Sequence, residues 1–130
     1  QIKTEDKAIV IAGRSRLVSS PLAKILSSKS YNANVTVIHS KTSNQKQFIT
    51  QADIFISAVG SAKLYDSSYF KQGATIIDIG ISSVDGKTYG DIDTQNISEV
   101  ASYRSPFPGG VGPITVSALF FNLSRLVKTN

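Results

Sequence analysis

The stretch Lys7-Ala8-Ile9-Val10-Ile11-Ala12-Gly13-Arg14-Ser15 is a short apolar run that stops at a glycine. Residues 8–12 are all apolar, which suits a strand buried on both faces, as in a parallel sheet. Ser20-Pro21 then supplies an N-cap and a first-position proline for a helix with Leu22, Ala23, Ile25 and Leu26 on its apolar face. The same grammar repeats outward from this unit. Residues 35–38 read as a second strand, 45–52 as a short helix, 53–60 as a third strand and 75–80 as a fourth. Residues 69–73 read as a short helix stopped by Gly73. Asp85-Gly86 marks a hairpin. Residues 90–92 read as a short fifth strand, 97–101 as a helix and 102–105 as a last strand. Residues 113–127 form a closing helix with Val116, Leu119, Phe120, Leu123 and Val127 at helical spacing.

Strands alternating with helices place the chain in the α/β class, as a Rossmann-like, doubly wound, mostly parallel sheet with helices on both faces. Its 130 residues carry no repeat or linker, so residues 1–130 read as one domain. Sheets of this kind bind ligands where strand C-termini meet helix N-termini. Gly13, His39-Ser40, Gly60 and Gly80 end the four strands and therefore share one edge.

Composition narrows the partners. A net charge of +5 favours an anionic ligand. The basic residues are scattered and no aromatic is interleaved with them for stacking, so a phosphorylated small molecule fits better than nucleic acid. No apolar run has the length of a membrane span, and no leader pattern opens the chain. The absence of cysteine removes disulfides, thiolate nucleophiles and cysteine metal sites. It also weighs toward a reducing compartment, the cytoplasm, with the mitochondrion as the alternative. There is no methionine, even at position 1, and the chain is expected to be a piece of a longer protein.

Gly13-Arg14-Ser15 occupies the place where a dinucleotide pyrophosphate meets backbone N–H groups and a helix dipole. The usual G-x-G-x-x-G is absent, and an ordinary strand-to-helix turn explains this loop alone equally well. NAD-specific folds place an acid after the second strand to hold the ribose hydroxyls. Here that segment is His39-Ser40-Lys41-Thr42, with no acid, and Arg14 is within reach of the same place. The pattern favours NADP over NAD. His39, the only histidine, reads as structural, and Asp78, inside an apolar strand, needs a hydrogen-bond partner if buried. The other dense motif is Ser105-Pro106-Phe107-Pro108-Gly109-Gly110-Val111-Gly112-Pro113-Ile114-Thr115. Its prolines and glycines leave few backbone shapes and little side-chain bulk, as suits a wall for a flat ligand.

Taken together, Gly13-Arg14-Ser15-x-x-Val18-x-x-Pro21, Val35-Thr36-Val37-x-His39-Ser40-Lys41-Thr42, Ala58-Val59-Gly60, Ile77-Asp78-Ile79-Gly80-Ile81, Gly90-Asp91-Ile92 and Pro108-Gly109-Gly110-Val111-Gly112-Pro113-x-Thr115-Val116 carry a resemblance. Over residues 7–127 the chain resembles the C-terminal NAD(P)-binding domain of bifunctional methylenetetrahydrofolate dehydrogenase/methenyltetrahydrofolate cyclohydrolase. The resemblance implies that Arg14 and Ser40 hold the 2′-phosphate of NADP and that Gly13 and Ser15 lie at the pyrophosphate turn. It also implies that Val59 and Gly60 lie beside the nicotinamide ribose and Ile81 near the nicotinamide. Lys41, read from its place after the second strand rather than from the resemblance, suits the same phosphate or is a solvated surface charge. Pro108, Gly109, Gly110, Gly112 and Pro113 match the loop that faces the folate.

The implied substrates are 5,10-methylenetetrahydrofolate and 5,10-methenyltetrahydrofolate, bound with the help of a domain outside these residues. That domain carries the family's catalytic lysine, tyrosine and folate pocket, so no catalytic residue is assigned here and the 130 residues alone are expected to be inactive. The family pairs through its nucleotide domains, which implies a homodimer. The chain departs from the family pattern at Ser19, Ser82, Ser105 and Phe107. Ser19 replaces a glycine and adds a Cβ near the turn, so the competing reading is a non-catalytic interaction module that has lost its cofactor.

Overall fold

The computed structural model describes residues 2–128; Gln1, on which the expectation of a longer protein leans, lies outside them. Five parallel strands form the main sheet: β1 (Ala8–Ala12), β2 (Asn34–Ile38), β3 (Ile54–Ser57), β4 (Ala74–Asp78) and, late in the chain, β7 (Ala101–Arg104). Their spatial order is β2-β1-β3-β4-β7. Register is set by Ile9 opposite Val35 on one side and Ile54 on the other, and by Phe55 opposite Ile76. The order reverses between β1 and β3, the switch point where a doubly wound sheet opens a crevice at its carboxyl edge.

The predicted elements are present with shifted ends. Helix α1 (Ser19–Leu26) begins before Ser20-Pro21, and its N-cap is Val18, which makes no side-chain cap. The first turn is closed instead by Ser15, whose Oγ accepts from the amides of Val18 at 3.0 Å and Ser19 at 3.4 Å. Helix α2 spans Gln45–Ile49. The helix expected at 69–73 is a 3-10 turn, Ser67–Tyr69, capped by Asp66, whose carboxylate accepts from the Ser68 amide. Strands β5 (Ser82–Val84) and β6 (Lys87–Tyr89) form the expected hairpin, with Asp85 and Gly86 both at positive φ. Residues 90–92 add no full strand; Ile92 makes a single parallel bridge to Tyr65. Helix α3 is Ile97–Val100 and α4 is Val111–Lys128, which starts before Pro113.

Alternation along the strands divides the core. Val10, Phe55 and Ile76 face Ile49 of α2, Tyr65, Phe70 and Ile97 of α3. Phe55 is fully buried, with the rings of Tyr65 and Phe70 centred 5.0 and 5.3 Å away. Ile9, Ile11, Ile54 and Ile56 point to the other face, under Leu22, Ala23 and Leu26 of α1. Beside α1 this face is open: Ile54, Ile56, Ile77, Ile79 and Val111 line an apolar groove of about 350 Å³. Helix α4 leaves Leu119, Phe120 and Leu126 about two-thirds exposed, at 67%, 66% and 68%. No described helix is long and apolar enough to cross a membrane.

Candidate functional site

The carboxyl edge of β1, β2 and β3 opens into a cleft of about 740 Å³, within the range of small-molecule and cofactor sites. The turn after β1 supplies Gly13, Arg14 and Ser15; the end of β2 supplies His39 and Ser40; and the end of β3 supplies Ala58 and Val59. Gly13 has φ +116°, and a Cβ there would stand 2.7 Å from the Ala58 carbonyl oxygen, so this close approach of two strand ends requires glycine.

The Ser19 side chain is fully buried behind this turn, 3.0 Å from the place a Gly13 Cβ would take, and is not on the cleft wall. Its hydroxyl has no hydrogen-bond partner among the described residues. Serine at position 19 is therefore accommodated behind the turn and leaves the cleft open.

The loop after β2 is ordered by its own polar groups. The His39 amide donates to Thr42 Oγ1 at 3.0 Å, the Lys41 amide donates to His39 Nδ1 at 3.2 Å, and Gln45 Nε2 donates to the His39 carbonyl at 3.1 Å. His39 thus shapes the loop, as its isolation in the sequence suggested. Lys41 lies in this loop but not on the cleft wall; the cation on the wall besides Arg14 is Lys46, on α2.

Asn44, Gln45, Lys46, Leu64, Tyr65 and Tyr69 complete the wall, and none was singled out from the sequence. The amphipathic pattern of residues 45–52 gave α2, but nothing local says that its amino end turns toward the edge. Lys46 Nζ donates to Ser68 Oγ at 2.9 Å and lies 5.0 Å from the Tyr69 ring centroid. The Tyr65 hydroxyl donates to Gln45 Oε1 at 3.3 Å, and burial, reinforced by the charge of Asp91, pushes its pKa up to about 12. Tyr65 is therefore a neutral donor at physiological pH.

A smaller pocket of about 180 Å³ continues the edge beyond β4. Ile81, Thr88 and the loop Pro106–Pro113 line it, so the structure brings Ile81 together with Pro108, Gly109, Gly110, Gly112 and Pro113. At Gly110 a Cβ would collide with the Pro106 carbonyl, which ties the loop's tight path to glycine. Gly60, at φ +76°, follows Val59 of the larger pocket and stands beside Ile81 of the smaller; a Cβ there would sit 3.7 Å from the Ile81 carbonyl. Two departures from the family pattern also fall here. Ser105 Oγ accepts from the Asp78 amide at 2.8 Å, and Phe107 packs against Gly90.

Under this edge lie two buried aspartates. Asp91 accepts from Ser57 Oγ at 2.6 Å and from the amides of Val59 and Ser61, both at 2.8 Å. Asp78 accepts from the amides of Asp91 at 3.1 Å and Ile92 at 3.0 Å. Burial raises the Asp78 pKa above the usual carboxylate value and the backbone amides partly offset this. No group of three or more His, Cys, Asp or Glu side chains able to hold a metal occurs among the described residues.

Residues 1–130 match the family described as tetrahydrofolate dehydrogenase/cyclohydrolase, NAD(P)-binding domain. Among curated proteins, the chain is 42% identical over 127 residues to the bifunctional protein FolD of Halalkalibacterium halodurans, covering 98% of this chain and 45% of that protein. It is 43% identical over 128 residues to the FolD of Lactobacillus helveticus, with coverage of 98% and 45%. It therefore spans under half the length of the curated relatives it matches. Among solved structures, the FolD methylenetetrahydrofolate dehydrogenase/cyclohydrolase of Campylobacter jejuni superposes with a TM-score of 0.91 at 38% identity, covering 98% of this chain and 45% of that one. The Trypanosoma brucei enzyme, solved with NADP cofactor and an inhibitor, gives 0.85 at 34% identity, covering 93% and 43%.

Proposed function

The chain belongs to the tetrahydrofolate dehydrogenase/cyclohydrolase NAD(P)-binding domain family, and from that premise we propose that it binds NADP along the carboxyl edge of its sheet. In this reading it is the nucleotide half of a methylenetetrahydrofolate dehydrogenase/methenyltetrahydrofolate cyclohydrolase. The observation that carries the preference for NADP is the make-up of the larger cleft. Its wall holds Arg14, Ser40 and Lys46 and no carboxylate. An NAD site needs an acceptor for the ribose hydroxyls; a 2′-phosphate needs cations and hydroxyl donors.

The residues fit the group from end to end. Arg14 and Ser40 hold the 2′-phosphate, with Lys46 adding charge at the same end. Gly13 lets the chain approach the pyrophosphate closely, and Ser15 braces the turn that presents its amides. Val59, Gly60 and Ile81 bound the nicotinamide end. Pro108, Gly109, Gly110, Gly112 and Pro113 form the adjoining wall, against which the folate lies flat. NADP supplies the hydride acceptor for the methylene bridge. The chain's own contribution is to hold both reactants in near-attack geometry and to keep water from the transfer. Opening of the methenyl product by water, and the acid-base groups for it, belong to the whole enzyme.

Calorimetric titration of this chain with NADP, and with NAD as control, tests the assignment. NADP is expected to bind the tighter. Arg14→Ala should weaken NADP by roughly tenfold or more and leave NAD within about twofold, because only the former loses a charge-assisted contact. A folded chain that binds neither nucleotide refutes the NADP reading and leaves the interaction-module alternative.

A further inference from the structure

We propose that Asp91 is the positioning residue that fixes residues 59–61 for the nicotinamide end of the cofactor, an inference that rests on the NADP reading of the cleft. Residues 59–61 form an exposed turn with a glycine at φ +76° in its middle. Such a turn has little side-chain packing to hold it. Beneath it, one carboxylate grips both sides of the glycine: Asp91 Oδ2 accepts from the Val59 amide and from Ser57 Oγ, and Oδ1 accepts from the Ser61 amide. Asp91 is fully buried and has no ion-pair partner among the described residues. A buried charge is costly to keep unless its hydrogen bonds are specific and complete. Here all three donors belong to β3 and the turn that leaves it.

The aspartate is itself held in place. Asp78 accepts from the amides of Asp91 and Ile92, and Ser105 Oγ accepts from the Asp78 amide. A Cβ at Gly80 would collide with the Asp91 carboxylate, and one at Gly90 with the Asp78 carboxylate. Each aspartate therefore lies against a glycine of the other's segment, and the end of β3, the end of β4 and residues 90–92 interlock. The turn so fixed borders both pockets: Val59 lines the larger, and Gly60 lies beside Ile81, which lines the smaller. Misplacing it shifts the nicotinamide end and leaves the adenosine end, built on Arg14 and Ser40, where it was.

That separation gives the test. This chain and its Asp91→Asn variant are titrated with NADP and with adenosine 2′,5′-bisphosphate, which carries the adenosine end alone. The asparagine side chain is nearly isosteric with aspartate but sets an N–H against one of the turn's amides. The expected result is a loss of roughly tenfold for NADP and less than twofold for adenosine 2′,5′-bisphosphate, with the thermal transition still cooperative. Should Asp91→Asn not fold, Ser57→Ala decides: it removes one of the three bonds and should cost about threefold for NADP only. Equal losses for both ligands, or no loss for either, overturn the positioning role while the NADP site stands. Failure of the unaltered chain to bind either ligand overturns the NADP reading and the inference with it.

Discussion

At the amino end of β3, Asp53 accepts from Lys71 Nζ at 2.6 Å and from the Ala8 amide at 2.8 Å; at the carboxyl end of β4, Asp78 accepts from backbone amides and has no ion-pair partner among the described residues. The two carboxylates shift in opposite directions. The hydrogen bond from Lys71, then that from Ala8, lowers the Asp53 pKa. Burial raises that of Asp78 against the pull of its amides. One end of the sheet is tied by a partly exposed ion pair, a simple way to pin a strand. The other places buried, cation-free aspartates under the strand ends that border the candidate site. The cation that would stabilise Asp78 most simply would also put a bulky charged side chain at the edge where the cofactor is proposed to bind.

The largest effect that would break this comparison is Gly80→Ala. Its Cβ collides with the Asp91 carboxylate, so overpacking should cost about 1–3 kcal/mol in urea unfolding. A cost near zero would mean that the interlock yields easily and that the two ends differ less than their geometry suggests.

The pH dependence sharpens the contrast. Asp53 is lowered in the folded state, so its contribution is present above the unfolded value of 3.8 and is lost as pH falls below it through the folded pKa. Asp78 is raised, so the folded state binds the extra proton between 3.8 and its folded pKa, and its contribution to stability declines as pH rises through that window. Asp78→Asn should remove the decline above pH 3.8 and keep the loss below it. Unfolding free energies measured from about pH 3 to 7 that keep the same slope above 3.8 in the variant would contradict the assignment. The smallest effect belongs to Lys71→Met. Its ion pair is partly solvated, with the two side chains 38% and 31% exposed, and its removal should cost about 0.5–1 kcal/mol at neutral pH. That loss should fade as the pH is lowered through the Asp53 transition.

Much of the fold is local and was legible. Residues 8–12, 54–57 and 74–78 are apolar enough on both sides to demand a parallel, covered sheet, and the strand-end glycines mark its ligand edge. Element ends were less legible. Ser20-Pro21 looks like a helix start, yet Ser15 satisfies the amides of Val18 and Ser19, so the helix begins earlier. Gly13, Arg14, Ser15 and Ser40, singled out by motif order and by their places after β1 and β2, do line the cleft. Lys46, Tyr65 and Tyr69 could not be singled out, because ordinary surface and core patterns contain the same residues.

The sequence by itself determined the class of sheet, the family and the edge at which a ligand is expected, since periodicity, turn chemistry and motif order are all properties of neighbouring residues. Only the tertiary structure decided which distant groups meet: Asp91 with the turn 30 residues before it, Asp78 with Asp91, and Lys46 with the cleft. It also decided that one face of the sheet is sealed while the other keeps a groove and leaves α4 exposed. Both faces have the same apolar alternation, and what separates them is the cover that packing provides, which depends on strand order and helix placement rather than on any local pattern.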